Sequence, residues 1–330
     1  MTDTLVLGAT GHIGAHVVRA LLAEGHRVRA AYRSERYLRV LDGLDVERVR
    51  LDLEDPERGL PEALEGCRWV FHAAGYYPGG RERPEEAVRK GAESARRALE
   101  AIRRAGPERV VFTSSTAVIR PAEGRAADEG DAEGWPPSGG RNLYARVKIV
   151  MEQEALRAAR GGLPVVIVNP SVCVGEYDAR AFSGRIVLAF AKYRIPWVTD
   201  ALFNVVYTGD VGVGHLRAAE RGRPGERYLL AGENLTLREF AGIVAEETSV
   251  PPPRWTMPRG LAMAAAAGAE LWAWATRRAP FFTRQEAARA RRGYALDGSR
   301  AVRELGMPRT PVKEAVRRAV AWFRQERILK

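Results

Sequence analysis

Three side chains near the middle of the chain have the types and spacing of a proton-transfer centre. Tyr144 and Lys148 are four residues apart, so a helix places them on one face. A phenol with its usual pKa of about 10 is a poor acid or base at neutral pH, but a nearby ammonium lowers that pKa by stabilising the phenolate. Ser115 supplies a hydroxyl that can hydrogen-bond a carbonyl or carbinol oxygen. A Tyr–Lys pair alone could equally lie on a solvated helix.

A glycine-rich run near the N-terminus indicates what this centre works with. The letters GATGHIG follow a hydrophobic strand pattern and begin a helical one. Such a turn brings backbone N–H groups and the positive end of a helix against the pyrophosphate of a dinucleotide. The predicted contacts are Gly8, Thr10, Gly11, His12, Ile13 and Gly14. With a nicotinamide cofactor, the Ser, Tyr and Lys side chains favour hydride transfer at a C–OH/C=O centre.

The end of the second predicted strand bears on which dinucleotide is bound. A carboxylate there holds the ribose 2′-OH of NAD, whereas a cation accommodates the 2′-phosphate of NADP. The chain has Arg33 at this point and no acid until Glu35, which favours NADP(H) over NAD(H). The ends of the third and fourth strands add further predicted cofactor contacts: Asp52, Leu53, Ala73, Ala74 and Gly75.

The elements that must position these residues form an alternating pattern through residues 1–170. Strand-like runs separated by helix-length segments predict a Rossmann-type α/β fold, a doubly wound parallel sheet that carries the cofactor. Residues 171–330 are predicted to form a smaller, mostly helical substrate-binding lobe, with some segments returning to the main sheet. The predicted strands of the first part are Thr4–Leu7, Arg27–Tyr32, Val46–Leu51, Trp69–Ala73, Arg109–Thr113 and Pro164–Asn169.

One predicted connection is unusually long. Residues 119–141 are rich in Gly, Pro, Asp and Glu and lie between Ser115 and Tyr144. Loops of this length in compact domains are usually functional lids or disordered.

Composition excludes several classes of protein. Two cysteines in 330 residues support neither a disulfide framework nor a zinc site, and we predict no metal. No signal-peptide pattern is present, which favours a cytoplasmic protein. The apolar stretch 260–275 is too short to span a bilayer, although weak interfacial contact with a membrane is an alternative to burial.

The net charge of +11 is concentrated near the C-terminus. Residues 277–330 contain fifteen Lys and Arg and five Asp and Glu, which accounts for +10. A solvated, arginine-rich lobe explains this charge, and attraction of an anionic substrate or membrane surface is the functional alternative. We predict no nucleic-acid partner, because no recognised nucleic-acid module accompanies the arginines.

The motifs occur in an order that resembles the extended short-chain dehydrogenase/reductase superfamily, also described as NAD-dependent epimerases/dehydratases. They are GATGHIG, Asp-Leu after the third strand, FTSS, YARVK and NPSVCVG. Longer stretches resemble the hopanoid-associated sugar epimerase and dihydroflavonol-reductase-like branch. The resemblance implies that Ser115 is the catalytic serine, Tyr144 the acid/base and Lys148 its partner.

The same resemblance implies further contacts and an oligomeric state. It places Thr113 and Ser114 beside the nicotinamide ribose, and Pro170 and Val172 against the nicotinamide. It favours Ser115 over Ser114 as the residue that faces the substrate, a choice that spacing leaves open. The helices at 85–105 and 143–160 form the usual dimer face, so a homodimer is expected.

The chain departs from the superfamily pattern at three points. The first bears on the proton path to solvent, and the other two weaken a strict sugar-nucleotide interpretation. Gly91 stands where the superfamily usually has an asparagine that supports a proton path to solvent. Val118-Ile119-Arg120 replaces a common VYG, and the YGP-type continuation after Gly175 is absent. Three hypotheses stay open: a reductase that releases NADP(H), a nucleotide-sugar epimerase that retains NAD(P), and a non-catalytic NADP(H)-binding regulator.

The substrate is expected to be a small carbonyl or alcohol compound or a nucleotide-sugar. Candidate substrate contacts, each of which could instead be a packing or surface residue, are Tyr76, Tyr77, Arg185, Tyr193 and Tyr207. His72 and His215 have no partner at metal-ligand spacing and are interpreted as structural. Asp210, just before a predicted helix, is interpreted as its N-cap.

Overall fold

Seven short strands pair in one sheet, and every neighbouring pair in it is parallel. The computed structural model describes residues 3–78, 82–132, 143–199, 201–256, 259–276 and 294–329. The strands of this sheet are β1 (Thr4–Leu7), β2 (Val28–Tyr32), β3 (Glu47–Arg50), β4 (Trp69–His72), β5 (Arg109–Thr113), β6 (Val165–Pro170) and β10 (Arg227–Leu230). Their order across the sheet is β10-β6-β5-β4-β1-β2-β3.

Helices cover both faces of the sheet, which is why its central strands are apolar on both sides. Successive residues of β1 alternate between two cores, with Val6 in one and Leu5 and Leu7 in the other. The helices of this part are α1 (His12–Ala23), α2 (Leu60–Leu64), α3 (Pro84–Ala105), α4 (Leu143–Arg160) and α6 (Thr208–Arg221). Helices α1 and α6 pack together on one face, and α3 and α4 pack together on the other. The predicted Rossmann-type α/β fold is confirmed.

The C-terminal half adds smaller sheets and a third core. Strands β7 (Val172–Val174), β9 (Leu202–Tyr207) and β11 (Glu233–Thr236) form one sheet, and β8 (Trp197–Val198) pairs with β12 (Trp255–Thr256). The remaining α-helices within the described residues are α5 (Arg185–Lys192), α7 (Leu237–Thr248), α8 (Arg259–Thr276) and α9 (Val312–Gln325). Strand β10 lies at the edge of the main sheet, beside β6. None of the helices described has the length and apolarity needed to cross a membrane.

The described part of the long connection is anchored to the rest of the protein. The N–H of Ala127 donates to the Ala295 carbonyl at 2.9 Å, and the carboxylate of Glu129 accepts from the N–H of Leu229 at 2.8 Å. The segment up to residue 132 therefore has fixed partners near β10. Residues 133–141 of this connection, and the helix predicted at Arg284–Arg292, lie outside the described residues.

The prediction that Asp210 caps a helix is wrong. Helix α6 begins at Thr208, two residues earlier than Asp210, and its N-cap is Tyr207. The buried Asp210 carboxylate instead accepts hydrogen bonds from the N–H and hydroxyl of Thr310, at 2.6 and 2.8 Å. Its role is to hold the segment that leads into α9, a contact between residues one hundred positions apart in sequence.

Candidate active site

The glycine loop between β1 and α1 packs too closely against neighbouring backbone to carry side chains at Gly8 and Gly14. Gly8 has φ of +81°, and a Cβ added there would lie 2.9 Å from the backbone of Ala74. A Cβ on Gly14 would lie 2.1 Å from the Gly8 carbonyl oxygen. Gly11 is the N-cap of α1 and supplies no side-chain acceptor to its first N–H groups. These features fit a dinucleotide pyrophosphate, because such a helix end attracts anions.

Other side chains of this loop are buried rather than charged. Thr10 is buried, and Ile13 packs against the core. The Nδ1 atom of His12 lies 3.3 Å from the Ser183 hydroxyl, and its Nε2 atom is buried with no hydrogen-bond partner among the described residues. Burial lowers the pKa of His12 to about 3, so its imidazole is neutral at pH 7.

The adenosine end of the predicted cofactor site lies at the ends of β2 and β3. A hydrogen bond joins these two strand ends, because the N–H of Leu51 donates to the Tyr32 carbonyl at 2.8 Å. Arg33 is more than half exposed, and its Nη1 lies 3.4 Å from a carboxylate oxygen of Glu54. Asp52 is exposed and accepts from the N–H of Glu54 at 3.0 Å. Leu53, half-buried, follows Asp52.

Lys148 is the most buried charged group of the candidate site, only 2% exposed. Its Nζ donates to the Thr113 carbonyl at 3.3 Å, and a Cβ placed on Gly75 would lie 3.2 Å from it. The Ala73-Ala74-Gly75 run at the end of β4 therefore meets α4 at this lysine. Burial lowers the pKa of Lys148 to about 8, although the carboxylate of Glu152 opposes the shift.

Tyr144 lies one turn before Lys148 in α4 and is half-buried. Its ring is stacked with that of Tyr77, at a centroid distance of 5.8 Å and an interplanar angle of 14°. Phe182 contacts Tyr77 edge-on at 4.8 Å, and both of these side chains are exposed. The surroundings of Tyr144 on the open side of the site are therefore aromatic.

The three hydroxyl residues at the end of β5 have different surroundings. Nδ1 of His215 donates to the Val211 carbonyl, so in the neutral imidazole Nε2 carries no proton and is an acceptor. The Thr113 hydroxyl therefore donates to Nε2 of His215, at 2.8 Å. Burial lowers the pKa of His215 to about 4 and keeps it neutral. The Ser114 hydroxyl is buried and has no partner among the described residues. The Ser115 hydroxyl accepts from the N–H of Ala117 at 3.1 Å, which leaves its own proton for donation.

A buried network behind the site was missed by sequence reasoning. The side-chain amide of Asn169 donates to the Ser115 carbonyl at 3.2 Å and to Glu152 at 2.7 Å. The other oxygen of Glu152 accepts from Nε of Arg227 at 2.6 Å. The network joins β5, β6, β10 and α4. Glu152 could have been found, because it continues the four-residue spacing of Tyr144 and Lys148.

The remaining predicted residues are the nicotinamide contacts after β6, the candidate substrate contacts and His72. Pro170, buried at the end of β6, and half-buried Val172 lie near the C-terminal ends of the sheet strands. The hydroxyl of Tyr76 donates to Glu82 at 2.6 Å, and that of Tyr207 donates to Glu176 at 2.7 Å. Both tyrosines thus have structural partners. Arg185 and Tyr193 are exposed, and His72 is buried against Phe112.

The absence of the family asparagine at Gly91 has a packing reason. A Cβ added at Gly91 would lie 2.8 Å from Cγ1 of Val147, since α3 and α4 approach closely there. We expect Gly91→Ala to lower the free energy of unfolding by about 1–3 kcal/mol through overpacking. The measurement is urea denaturation.

The matched control for this substitution is Gly242→Ala in α7. A Cβ at Gly242 has no atom within 4 Å, so this change should raise stability by about 0.5–1 kcal/mol. If Gly91→Ala is as stable as Gly242→Ala, close packing does not explain the glycine.

Within the described ranges, no group of three or more His, Cys, Asp or Glu side chains is arranged to hold a metal ion. The groups brought together are instead the glycine loop, the ends of β2 to β5 and the first turns of α4. All of them belong to the C-terminal edge of the parallel sheet, where open α/β folds bind ligands.

Comparisons with known proteins identify the family of this chain. Residues 4–231 match the model of the NAD dependent epimerase/dehydratase family. The chain is 37% identical over 327 residues to sterol demethylase protein B of Methylococcus capsulatus, covering 98% of each chain. It is 32% identical to a 4-hydroxy-2-methyl-3-oxo-4-farnesyl-3,4-dihydroquinoline-1-oxide ketoreductase of Stigmatella aurantiaca, covering 82% of this chain and 80% of the other.

A solved structure is similar over the whole chain. It is a nucleoside-diphosphate-sugar epimerase from Pseudomonas aeruginosa, 28% identical, with a TM-score of 0.84 and coverage of 100% of this chain and 99% of the other. The predicted resemblance is confirmed. The chain belongs to the NAD-dependent epimerase/dehydratase family of extended short-chain dehydrogenases/reductases, and is an NAD(P)-dependent oxidoreductase or epimerase.

Proposed function

We propose that this protein is an NADP(H)-dependent oxidoreductase that transfers a hydride at a C–OH/C=O centre with Ser115, Tyr144 and Lys148. The observation that carries the proposal is the position of Lys148. Its ammonium is buried between the Thr113 carbonyl and Gly75, one helical turn from Tyr144. A buried cation is costly and is retained where its charge is used.

Each side chain has a separate role in this proposal. Tyr144 passes a proton to or from the substrate oxygen, and the Lys148 ammonium stabilises its phenolate. Ser115 donates its hydroxyl proton to the same oxygen. Asn169 and Glu152 position the Ser115 backbone and α4. The glycine loop and the ends of β2 to β5 would hold the dinucleotide, whose nicotinamide would supply or take up the hydride.

The surroundings of Tyr144 favour a reductase or dehydrogenase of apolar substrates. Tyr77 and Phe182 form an exposed aromatic wall beside it. Two relatives in the comparison are named for reactions on a sterol and on a farnesyl quinoline, both of them apolar compounds. A nucleotide-sugar epimerase is the second candidate, favoured by the similarity to the Pseudomonas aeruginosa epimerase. A non-catalytic regulator does not account for the retained Tyr144 and Lys148.

Two measurements test the proposal. Mass spectrometry of the purified protein identifies any dinucleotide that co-purifies, and released NADP(H) is expected rather than retained NAD. NADPH absorbance is then followed with a panel of apolar ketones and alcohols and of nucleotide-sugars. Stoichiometric NADPH oxidation by a ketone supports a reductase. Sugar isomerisation without net cofactor consumption supports the epimerase, and tight NADPH binding with no turnover supports the regulator.

Arg33→Ala tests the preference for NADP(H). Loss of a charge-assisted contact to the 2′-phosphate should raise the Kd for NADPH about tenfold or more, because such hydrogen bonds contribute about 1.5–3 kcal/mol. The Kd for NADH should not change. Titration calorimetry measures both constants. The control is Arg58→Ala, an exposed arginine on the loop before α2.

An unchanged ratio of the two Kd values in Arg33→Ala would contradict the cofactor assignment. Glu54→Gln gives a second reading, since it removes the carboxylate that lies 3.4 Å from Arg33. This variant should bind NADPH more tightly, because its Arg33 has no competing anion.

The homodimer that the resemblance implies is also a proposal. In that arrangement α3 and α4 of two copies meet. The outward side of α3 carries ion pairs such as Arg89–Glu93 and Lys90–Glu86. The large hydrophobic side chains that are exposed in the described structure lie elsewhere.

A further inference from the structure

Helix α8 exposes an apolar stripe between Leu261 and Trp272. Leu261 and Leu271 are 61% and 66% exposed, and they lie ten residues apart, close to three helical turns. Between them the exposed positions are again apolar, while the opposite side buries Ala266 and Ala273. The exposed residues, which we call the α8 stripe, are Leu261, Ala264, Ala265, Gly268, Leu271 and Trp272. Contiguous apolar exposure of this kind marks an interaction site.

Strand β12, which ends three residues before α8 begins, carries an exposed tryptophan. Strand β12 pairs with β8 so that Trp255 stands opposite Trp197, and the N–H of Trp255 donates to the Pro196 carbonyl at 3.1 Å. Trp255 is 63% exposed, and Tyr193, four residues before Trp197, is 58% exposed. Tryptophan and tyrosine at such a margin are typical of the boundary between lipid chains and headgroups.

Three cationic residues neighbour these aromatic residues in sequence. Lys192, Arg194 and Arg254 are all exposed. Residues 185–199 and 249–256 contain no Asp or Glu, and α8 contains one acid, the half-buried Glu270. A second copy of this chain, with its net charge of +11, would meet these cations unfavourably, whereas an anionic lipid surface attracts them.

We propose that the α8 stripe and the Tyr193–Trp255 margin bind the surface of an anionic lipid bilayer. Helix α8 lies along the interface with Leu261 and Leu271 among the acyl chains, and Lys192, Arg194 and Arg254 contact the headgroup phosphates. The inference does not depend on the reaction at Tyr144. It would place the enzyme at a membrane surface, where an apolar substrate of the kind proposed above is concentrated.

Vesicle co-sedimentation of the full chain tests the proposal. The probes are phosphatidylcholine vesicles with and without phosphatidylglycerol, at low salt. The wild type should bind the anionic vesicles. Leu261→Gln/Leu271→Gln should weaken binding about tenfold or more, since both substitutions remove apolar surface that would enter the acyl chains. Arg194→Glu/Arg254→Glu should weaken binding to anionic vesicles and remove the preference for them.

The matched control is Arg68→Glu/Arg104→Glu, which makes the same charge change at two exposed arginines beside β4 and at the end of α3. It should bind vesicles like the wild type, and NADPH binding confirms that each variant is folded. The proposal is overturned if the wild type stays in the supernatant with anionic vesicles. It is also overturned if the leucine variant binds vesicles normally but has half the wild-type mass by light scattering, because the stripe is then a contact between copies.

Discussion

Tyr144→Phe should lower kcat/KM by about 10²–10⁴-fold, the usual contribution of a positioned acid or base. The substitution removes one oxygen and keeps the ring that is stacked with Tyr77 at 5.8 Å. The Kd for the dinucleotide should therefore change little. The measurement is NADPH oxidation with the best substrate of the carbonyl panel, combined with calorimetric titration of the cofactor.

The control for this prediction is Tyr228→Phe. Tyr228 lies near the start of β10, whereas the site is at the C-terminal ends of the strands. Its hydroxyl donates to the Glu304 carboxylate at 3.2 Å. Removing it should leave kcat/KM unchanged. If Tyr144→Phe retains more than about a tenth of wild-type activity while Tyr228→Phe is normal, another group transfers the proton and the assigned role is wrong.

Lys148→Met should abolish activity and at the same time make the protein more stable at pH 7. Burial lowers the pKa of Lys148 to about 8, whereas in the unfolded chain it is about 10.4. Keeping the ammonium charged in the fold therefore costs about 1–3 kcal/mol at neutral pH. Methionine fills a similar volume without this cost, so the free energy of unfolding should rise by that amount.

The stability difference between Lys148→Met and the wild type should depend on pH. Between about pH 8 and pH 10.4 the unfolded wild-type chain binds more protons than the folded protein, so the contribution of Lys148 to stability rises with pH in that window. The advantage of Lys148→Met should shrink accordingly and disappear near its upper end. Urea denaturation at pH 7 and at alkaline pH measures it, with Lys313→Met, an exposed lysine paired with Glu246, as the control.

The same titration should appear in catalysis. The kcat/KM of the wild type should fall as pH rises through about 8, because the free enzyme loses the ammonium that stabilises the Tyr144 phenolate. A Lys148→Met variant that binds NADPH but is less stable than the wild type at pH 7 would show that the buried ammonium has no net cost.

Much of the fold follows from periodicity in the sequence alone. The bounds of β1, β5 and α4 agree with the structure, since each has a strong strand or helix period and a clear end. The local spacing that places Tyr144 and Lys148 on one face is a property of any α-helix. Family motifs then identified the chain as an extended short-chain dehydrogenase/reductase.

Contacts between distant parts of the chain could not be predicted in this way. Asp210 stands just before a helical pattern, which predicts a cap. Its actual partner, Thr310, is one hundred residues away, and no local pattern indicates that contact. The network of Asn169, Glu152 and Arg227 joins three separate elements, and only Glu152 had a local signal. The close approach of α3 and α4, which explains Gly91, likewise depends on how two helices pack.

Periodicity and turn chemistry are local, so the parallel sheet, the glycine loop and the spacing of Tyr144 and Lys148 can be predicted from the residues alone. The environment of each group is set by the tertiary structure. It turned the Thr113 hydroxyl toward His215, left the Ser115 proton available and buried Lys148 deeply enough to lower its pKa. Such properties depend on which distant residues surround a side chain, and desolvation and packing arise only when the chain has folded.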